Sequence, residues 1–209
     1  TNLSGPRRFQ AGAARDHLLG VRFVNGHGEV VKSGGRVMKN VTGLDLVKLM
    51  AGSFGTLGFM TELTFKVLPK PETSATVILS GLDDEDASWA MAHALSTSVE
   101  VSGAAYLPDS CKWRFLDNRL PDGAATALRL EGLAFSVAER VERLKAVFTA
   151  APLAVLDQAD SKALWREIAD VKPFHADGRD RPVWKVSVPP TSGHQLLSAL
   201  RMETAVDGY

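Results

Sequence analysis

Cysteine is nearly absent from this chain, because Cys111 is the only one among 209 residues. A disulfide needs two thiols, and an iron–sulfur cluster or a cysteine-rich zinc site needs several. A single thiol therefore excludes an internal disulfide framework and a cysteine-held metal centre. This cysteine usage fits a reducing compartment, so we expect a cytoplasmic protein.

Net charge and long apolar runs are absent as well. Basic and acidic residues number 24 each, so the formal net charge is zero. Without a basic excess, neither nucleic acid nor an anionic membrane surface is an expected partner. No apolar run approaches the roughly 20 residues of a membrane span. The hydrophobic content of 45% is ordinary for a globular protein that builds a core.

Residue patterns for metal binding and hydrolysis are also missing. The histidines His93, His175 and His194 lie far apart and have no partner four residues away, so we predict no metal site. The acidic run at 83–86 lacks the glycine and closing glutamate of a calcium loop, which favours a helix start. No Gly-x-Ser-x-Gly elbow occurs. The sequence therefore identifies no catalytic residue.

What the chain does contain is a run of evenly spaced glycines. Gly52, Gly55 and Gly58 follow a predicted helix at 45–50 and precede an alternating strand at 60–68. Such glycines mark a backbone that closely approaches another segment or a ligand, and the spacing alone leaves both alternatives open. The Rossmann fingerprint does not apply, because it places the strand first and the helix second.

The residues around these glycines are more specific. The loop reads Gly52-Ser53-Phe54-Gly55-Thr56-Leu57-Gly58-Phe59-Met60-Thr61-Glu62, and the N-terminus reads Asn2-Leu3-Ser4-Gly5-Pro6-Arg7-Arg8. Together with residues 12–20 and 39–43, these stretches resemble the FAD-binding domain of the vanillyl-alcohol oxidase and p-cresol methylhydroxylase (PCMH-type) family. Within that family they are most similar to the E-type subunits of bacterial glycolate oxidases.

The resemblance implies that FAD is the cofactor and that these stretches contact it. The residues that match the family pattern for cofactor binding are Asn2, Ser4, Gly5, Arg8, Gly12, Arg15, Asp16, Gly52, Gly55, Gly58 and Phe59. By themselves, Ser4 and Gly5 also suit a surface turn. His17 is predicted to be a partly buried structural histidine, and the charged loop 175–181 to be solvated.

The resemblance further implies an FAD-dependent enzyme that oxidises a small 2-hydroxy acid, glycolate, to the 2-oxo acid glyoxylate by hydride transfer to flavin. The implied partners are a homologous flavoprotein subunit and an iron–sulfur subunit, through which the chain would be peripheral to the inner membrane. The cluster ligands must lie on that other subunit, because one cysteine cannot hold a cluster. The alternative is a non-catalytic FAD-binding or scaffold subunit that supports a catalytic homologue.

The predicted fold class is α+β in two domains. Residues 1–72 are expected to form the C-terminal part of a PCMH-type FAD-binding domain, and residues 73–209 a ferredoxin-like cap or substrate domain. The cap pattern has the order β-α-β-β-α-β between residues 76 and 156. Ser136 is the predicted cap of its second helix. A helix at 161–171, a strand at 183–188 and a helix at 192–201 are expected to follow. The chain starts inside a motif, so we expect a fragment.

Overall fold

The computed structural model describes residues 1–38, 43–175, 182–189, 191–206 and 208–209. Within these ranges the chain forms two compact units, Thr1–Lys70 and Pro71–Tyr209. Helices and antiparallel sheets occur in both units, which confirms the predicted α+β class. In the part of the chain that the structure describes, no helix is both long and apolar enough to span a bilayer.

The first unit is built on a small antiparallel sheet. Its strands are β1 (Leu18–Val24), β2 (Val30–Gly34) and β3 (Phe59–Phe65), and its helices are α1 (Arg8–Ala11), α2 (Ala14–His17) and α3 (Leu46–Met50). The sheet order is β2-β1-β3. The turn between β1 and β2 is held by Asn25, whose side chain accepts hydrogen bonds from the amides of His27 and Glu29. Asp45 caps α3, because its side chain accepts a hydrogen bond from the Lys48 amide.

Helix α3 packs on one face of this sheet. The buried core consists of Leu18, Val21, Phe23, Val47 and Met50. Leu63 and Phe65 lie opposite Val21 and Leu18 in the β1–β3 pairing, so they share this face, as their alternation predicts. Both side chains nevertheless stay nearly half exposed. β3 ends at Phe65 rather than at residue 68.

Strand β2 continues into a glycine-rich stretch. Ser33 and Gly34 pair with Val21 and Gly20 of β1. A Cβ atom on Gly34 would lie 2.2 Å from the carbonyl oxygen of Leu19. Glycine here allows two backbones to approach closely, so the pairing of β2 with β1 extends through Gly34.

The second unit contains a four-stranded antiparallel sheet. Its strands are β4 (Thr73–Ser80), β5 (Gly103–Leu107), β6 (Ala125–Gly132) and β7 (Leu153–Leu156). Its helices are α4 (Asp84–Ser96), α5 (Asp109–Lys112), α6 (Ala134–Val147), α7 (Gln158–Ala169), α8 (Lys172–His175) and α9 (Gly193–Glu203). The strand order β5-β6-β4-β7, with every neighbouring pair antiparallel, is that of a ferredoxin-like β-α-β-β-α-β fold. The predicted arrangement is confirmed.

Both faces of this sheet are covered. Val77 and Leu79 of β4 join a core with α4 and α6, whereas Ile78 joins a second core with Leu164 and Trp165 of α7. Successive strand residues point to opposite faces. A continuous apolar run is therefore required in β4, because no position along its middle faces water.

Three local predictions for the second unit are wrong. Helix α6 begins at Ala134 instead of Ser136, and the amide of Ala134 donates to the Glu72 carboxylate at 3.2 Å. Helix α7 begins at Gln158 instead of residue 161, because Asp157 accepts the amide of Asp160. Residues 182–189 form no strand and are exposed. The charged-loop residues 176–181 and the motif residues 39–42 lie outside the described ranges.

Arg140 of α6 joins the helix to the loop before β5 and to the end of β6. Its guanidinium donates to the carbonyl oxygens of Val99 at 3.2 Å, Glu100 at 3.4 Å and Glu131 at 2.6 Å. The side chain is only 11% exposed. Each of these carbonyl groups has a charged donor in Arg140, and a buried polar group that loses its partner costs about 1–3 kcal/mol.

We therefore expect Arg140→Met to lower the free energy of unfolding by about 2–4 kcal/mol, since more than one carbonyl loses its donor. Arg143 provides a matched control on the same helix, because it forms an exposed pair with Glu139. Arg143→Met should cost no more than about 0.5 kcal/mol. Urea unfolding followed by circular dichroism measures both values. Equal losses in the two variants would contradict the role assigned to Arg140.

Candidate cofactor-binding site

Residues 2–17, here called the N-terminal segment, are organised by bonds among the predicted site residues. The side-chain oxygen of Asn2 accepts a hydrogen bond from the Arg15 amide at 2.8 Å. The hydroxyl of Ser4 accepts one from the Arg8 guanidinium at 3.1 Å. Four residues that the resemblance singled out therefore meet in two pairs. Their roles toward a cofactor stay predictions.

Gly12 and Asp16 form a third such pair. The Asp16 carboxylate accepts the Ala13 amide at 2.7 Å, and this bond holds the pKa of Asp16 below its usual value of 3.8, with the cations of Lys48, Arg15 and Arg8 acting in the same direction. Gly12 has φ +85°, and a Cβ there would lie 2.8 Å from the carboxylate. Only glycine fits this turn without strain.

Lys48 of α3 fastens the N-terminal segment to the sheet, a role that its sequence position did not predict. Its ammonium group donates to the carbonyl oxygens of Arg15 and Leu18. The helical spacing of 45–50 shows only that Lys48 lies on a polar face. Its targets are backbone atoms that the tertiary fold brings near, so no sequence pattern could have named them.

The loop of residues 51–58, here called the glycine loop, lies beside the N-terminal segment. Gly52 has φ +94°, and a Cβ placed on it would lie 3.5 Å from the Cβ of Asn2. The two motifs are 50 positions apart in sequence, yet the fold brings them into contact. The structure thus gathers Asn2, Arg15 and Gly52 in one place.

The other two glycines of the loop differ in their surroundings. A Cβ on Gly58 would lie 2.6 Å from the carbonyl oxygen of Val24, so close packing against β1 explains this glycine. Gly55 has φ +84° and nothing within 4 Å of a placed Cβ. Gly5 of the N-terminal segment is open in the same way. Gly55 and Gly5 are therefore the positions where backbone faces space that a ligand could fill.

Three further residues, two in the glycine loop and one at the start of β3, have features of a binding surface. The hydroxyl of Ser53 is buried and has no hydrogen-bond partner. Phe54 adopts φ +54° and is 77% exposed, a conformation that costs about 1–3 kcal/mol in a non-glycine residue. Phe59 is 73% exposed. An orphaned hydroxyl, open glycine backbone and exposed aromatic rings fit a ligand with both polar and planar parts, which FAD is.

The lowered pKa of Asp16 gives a test of the N-terminal segment. A carboxylate with a depressed pKa stabilises the folded state above its unfolded value of 3.8, and the stabilisation is lost as pH falls through the lowered value. We expect Asp16→Asn to lower the urea midpoint at pH 7, and the difference from the natural chain to disappear in acid, once the pH is below the lowered pKa of Asp16. A difference of equal size at pH 7 and in acid would show that the charge of Asp16 does not contribute.

The chain is similar in sequence to several known proteins. No family model matches the chain. Glycolate oxidase subunit GlcE of Escherichia coli (strain K12) is 39% identical to it over 131 residues, which cover 61% of this chain and 35% of that protein. Glycolate oxidase subunit GlcD of Bacillus subtilis (strain 168) is 42% identical over 77 residues, covering 37% and 16%. A D-lactate dehydrogenase of Anaerostipes hadrus is 42% identical over 86 residues, covering 41% and 18%.

The fold has solved counterparts as well. The structure of an alkyldihydroxyacetonephosphate synthase matches 83% of this chain and 36% of its own with a TM-score of 0.62 and 18% identity, which shows a shared fold alone. The chain spans between 16% and 35% of the length of the three relatives named above. The predicted resemblance is therefore confirmed: this chain is similar to glycolate oxidase subunit GlcE and to proteins named as FAD-linked oxidoreductases.

Proposed function

We propose that this chain is part of an FAD-binding subunit of a glycolate oxidase-type complex. The observation that carries the proposal is the contact between the N-terminal segment and the glycine loop at Asn2 and Gly52. The family resemblance assigns both motifs to the cofactor, although they lie about 50 positions apart in the sequence. Their meeting in the fold supports a single site that uses both.

In this proposal the chain's own residues bind and orient the cofactor. The open backbone at Gly5 and Gly55 would let FAD approach, the orphaned hydroxyl of Ser53 would gain a partner, and Arg8 and Arg15 would offer cations to the diphosphate. FAD, when bound, supplies the hydride acceptor for oxidation of an alcohol to a carbonyl. The protein contributes position and electrostatics.

The proposed substrate is a small 2-hydroxy acid, with glycolate and its product glyoxylate as the first choice. The supporting observation is that the relatives are named as glycolate oxidase subunits and as dehydrogenases of D-lactate and D-2-hydroxyglutarate. Two of them are named as subunits, which supports a homologous flavoprotein partner. An iron–sulfur subunit and a cytoplasmic location remain part of the proposal.

A non-catalytic role within the same complex is the second candidate, and one observation favours it. In the second unit the buried Arg129, a residue type suited to a substrate carboxylate, is already engaged by Glu131, by Ser102 and by the ring of Trp165. This chain would then bind FAD or support a catalytic homologue.

The flavin content of the intact natural protein separates these possibilities. We expect the protein purified alone to show a flavin absorbance spectrum and to release about one FAD per chain on acid treatment. Anaerobic addition of glycolate, and separately of D-lactate, should then bleach the spectrum if this subunit is catalytic. Bound flavin without bleaching would favour the non-catalytic role. A well-folded protein without flavin would refute the proposed FAD site.

The open glycine Gly55 allows a more local test with a matched control. Gly28 has φ +83° and is equally open, but it lies in the turn between β1 and β2. Alanine at either position should cost about 1 kcal/mol of folding free energy, because both need a left-handed backbone. Only Gly55→Ala should weaken FAD binding, because the added methyl group projects into the space proposed for the ligand. We expect the FAD dissociation constant to rise about tenfold, which corresponds to about 1.4 kcal/mol of binding free energy. Equal affinities in the two variants would place the cofactor elsewhere.

A further inference from the structure

We propose that His17 is a positioning residue, which holds the N-terminal segment against strand β3 by donating from both ring nitrogens. The proposal rests on the proposed function in so far as the segment contacts FAD. No part of the family resemblance assigns this role to His17. It follows from the two acceptors that the ring meets.

Both ring nitrogens face backbone carbonyl oxygens. Nε2 lies 2.7 Å from the oxygen of Ala11, and Nδ1 lies 3.2 Å from the oxygen of Lys66. A carbonyl oxygen can only accept. A neutral imidazole has one N–H donor, whereas the imidazolium has two. The imidazolium is therefore the form of His17 that satisfies both contacts.

These contacts connect the two parts of the candidate site. Ala11 ends α1 within the N-terminal segment, and Lys66 directly follows β3. The amide of Lys66 also donates to the carbonyl oxygen of His17 at 2.8 Å, so the link is reciprocal. β3 begins at Phe59, immediately after the glycine loop. Through His17, the N-terminal segment is tied to the strand that carries the other half of the site.

The acidic side chains near this junction are paired with other groups, so the hydrogen-bond acceptors of the His17 ring are the two backbone carbonyl oxygens. On the elements that meet there, the charged side chains are Arg8 on α1, Arg15 and Asp16 on α2, Arg22 on β1, Lys48 on α3, Glu62 on β3 and Lys66. The two anions have other partners. Asp16 accepts the amide of Ala13, and Glu62 lies 3.4 Å from the Arg22 guanidinium.

The arrangement makes the attachment of the N-terminal segment depend on pH. When the ring loses a proton, one nitrogen presents a lone pair to a carbonyl oxygen, and that hydrogen bond is lost. The attachment is complete at low pH and weakens as pH rises. Histidine is the side chain that commonly changes charge between about pH 5 and 8, so this is the range in which the effect is measured.

The test measures hydrogen exchange of peptides from the N-terminal segment, corrected for intrinsic rates, in the intact protein at pH 6 and pH 8. We expect protection of the segment to fall at least about threefold from pH 6 to pH 8 in the natural protein, a change of roughly 0.65 kcal/mol. His17→Gln cannot titrate and should show no such change. His27→Gln, in the exposed turn between β1 and β2, should retain the natural pH profile.

The FAD dissociation constant is measured on the same samples and should rise in parallel. Direct observation of the His17 ring nitrogens by NMR provides a readout that does not depend on a variant folding, with two protonated nitrogens expected wherever both hydrogen bonds are present. Protection that is unchanged with pH, or a pH profile that survives His17→Gln, would overturn the proposal. If no sample binds FAD, the proposed function fails while hydrogen exchange still decides the role of His17.

Discussion

The structure depends on satisfying backbone carbonyl oxygens where short helices and strands end. Every buried carbonyl needs a donor, and short elements leave many of them without an internal partner. Cationic and imidazole side chains meet this need in each unit. In the first unit, Lys48 and His17 donate to the carbonyls around α2. In the second unit, Arg140 donates to four backbone carbonyl oxygens. Lys112 donates to the carbonyl of Pro121, and Arg114 to that of Pro173.

This use of cations links the fold to the candidate site. The N-terminal segment has only two helices of four residues each, too short to be stable by themselves. Its shape therefore comes from its attachments: the Asn2–Arg15 bond within the segment, and the Lys48 and His17 bonds to the sheet. In the proposed function, the shape of the surface that meets the cofactor is thus set by side chains that need not touch it. Such positioning residues carry none of the signals that identify a binding motif.

Local chemistry decided what could be predicted from sequence. The Asn25 turn and the Asp45 cap depend on neighbouring residues alone, and the ferredoxin-like order follows from the alternation of apolar positions. The prediction of a cap at Ser136 was wrong because the carboxylate of Glu72, over 60 positions away, accepts the amide of Ala134 at the start of α6. The prediction of a strand at 183–188 was wrong because alternating apolar residues indicate only that a segment has two different faces, whereas a strand also needs a neighbouring strand to pair with.

For the candidate site, the glycine motif could be recognised in the sequence. The importance of Ser53 and Lys48 became clear only from the burial of Ser53 and from the contacts of Lys48 with residues distant in sequence.

The glycine motif also shows why the choice between packing and ligand approach could not be made from spacing. Gly52, Gly55 and Gly58 all have positive φ, so the backbone alone requires glycine at each. Their surroundings differ: Gly58 packs on the β1 backbone, Gly52 lies beside Asn2, and Gly55 faces open space. The packed glycine fixes the start of β3, and this in turn holds the open glycine at the surface. Close packing therefore explains Gly58, whereas ligand approach at Gly55 belongs to the proposed function, so the two interpretations apply to different residues of one loop.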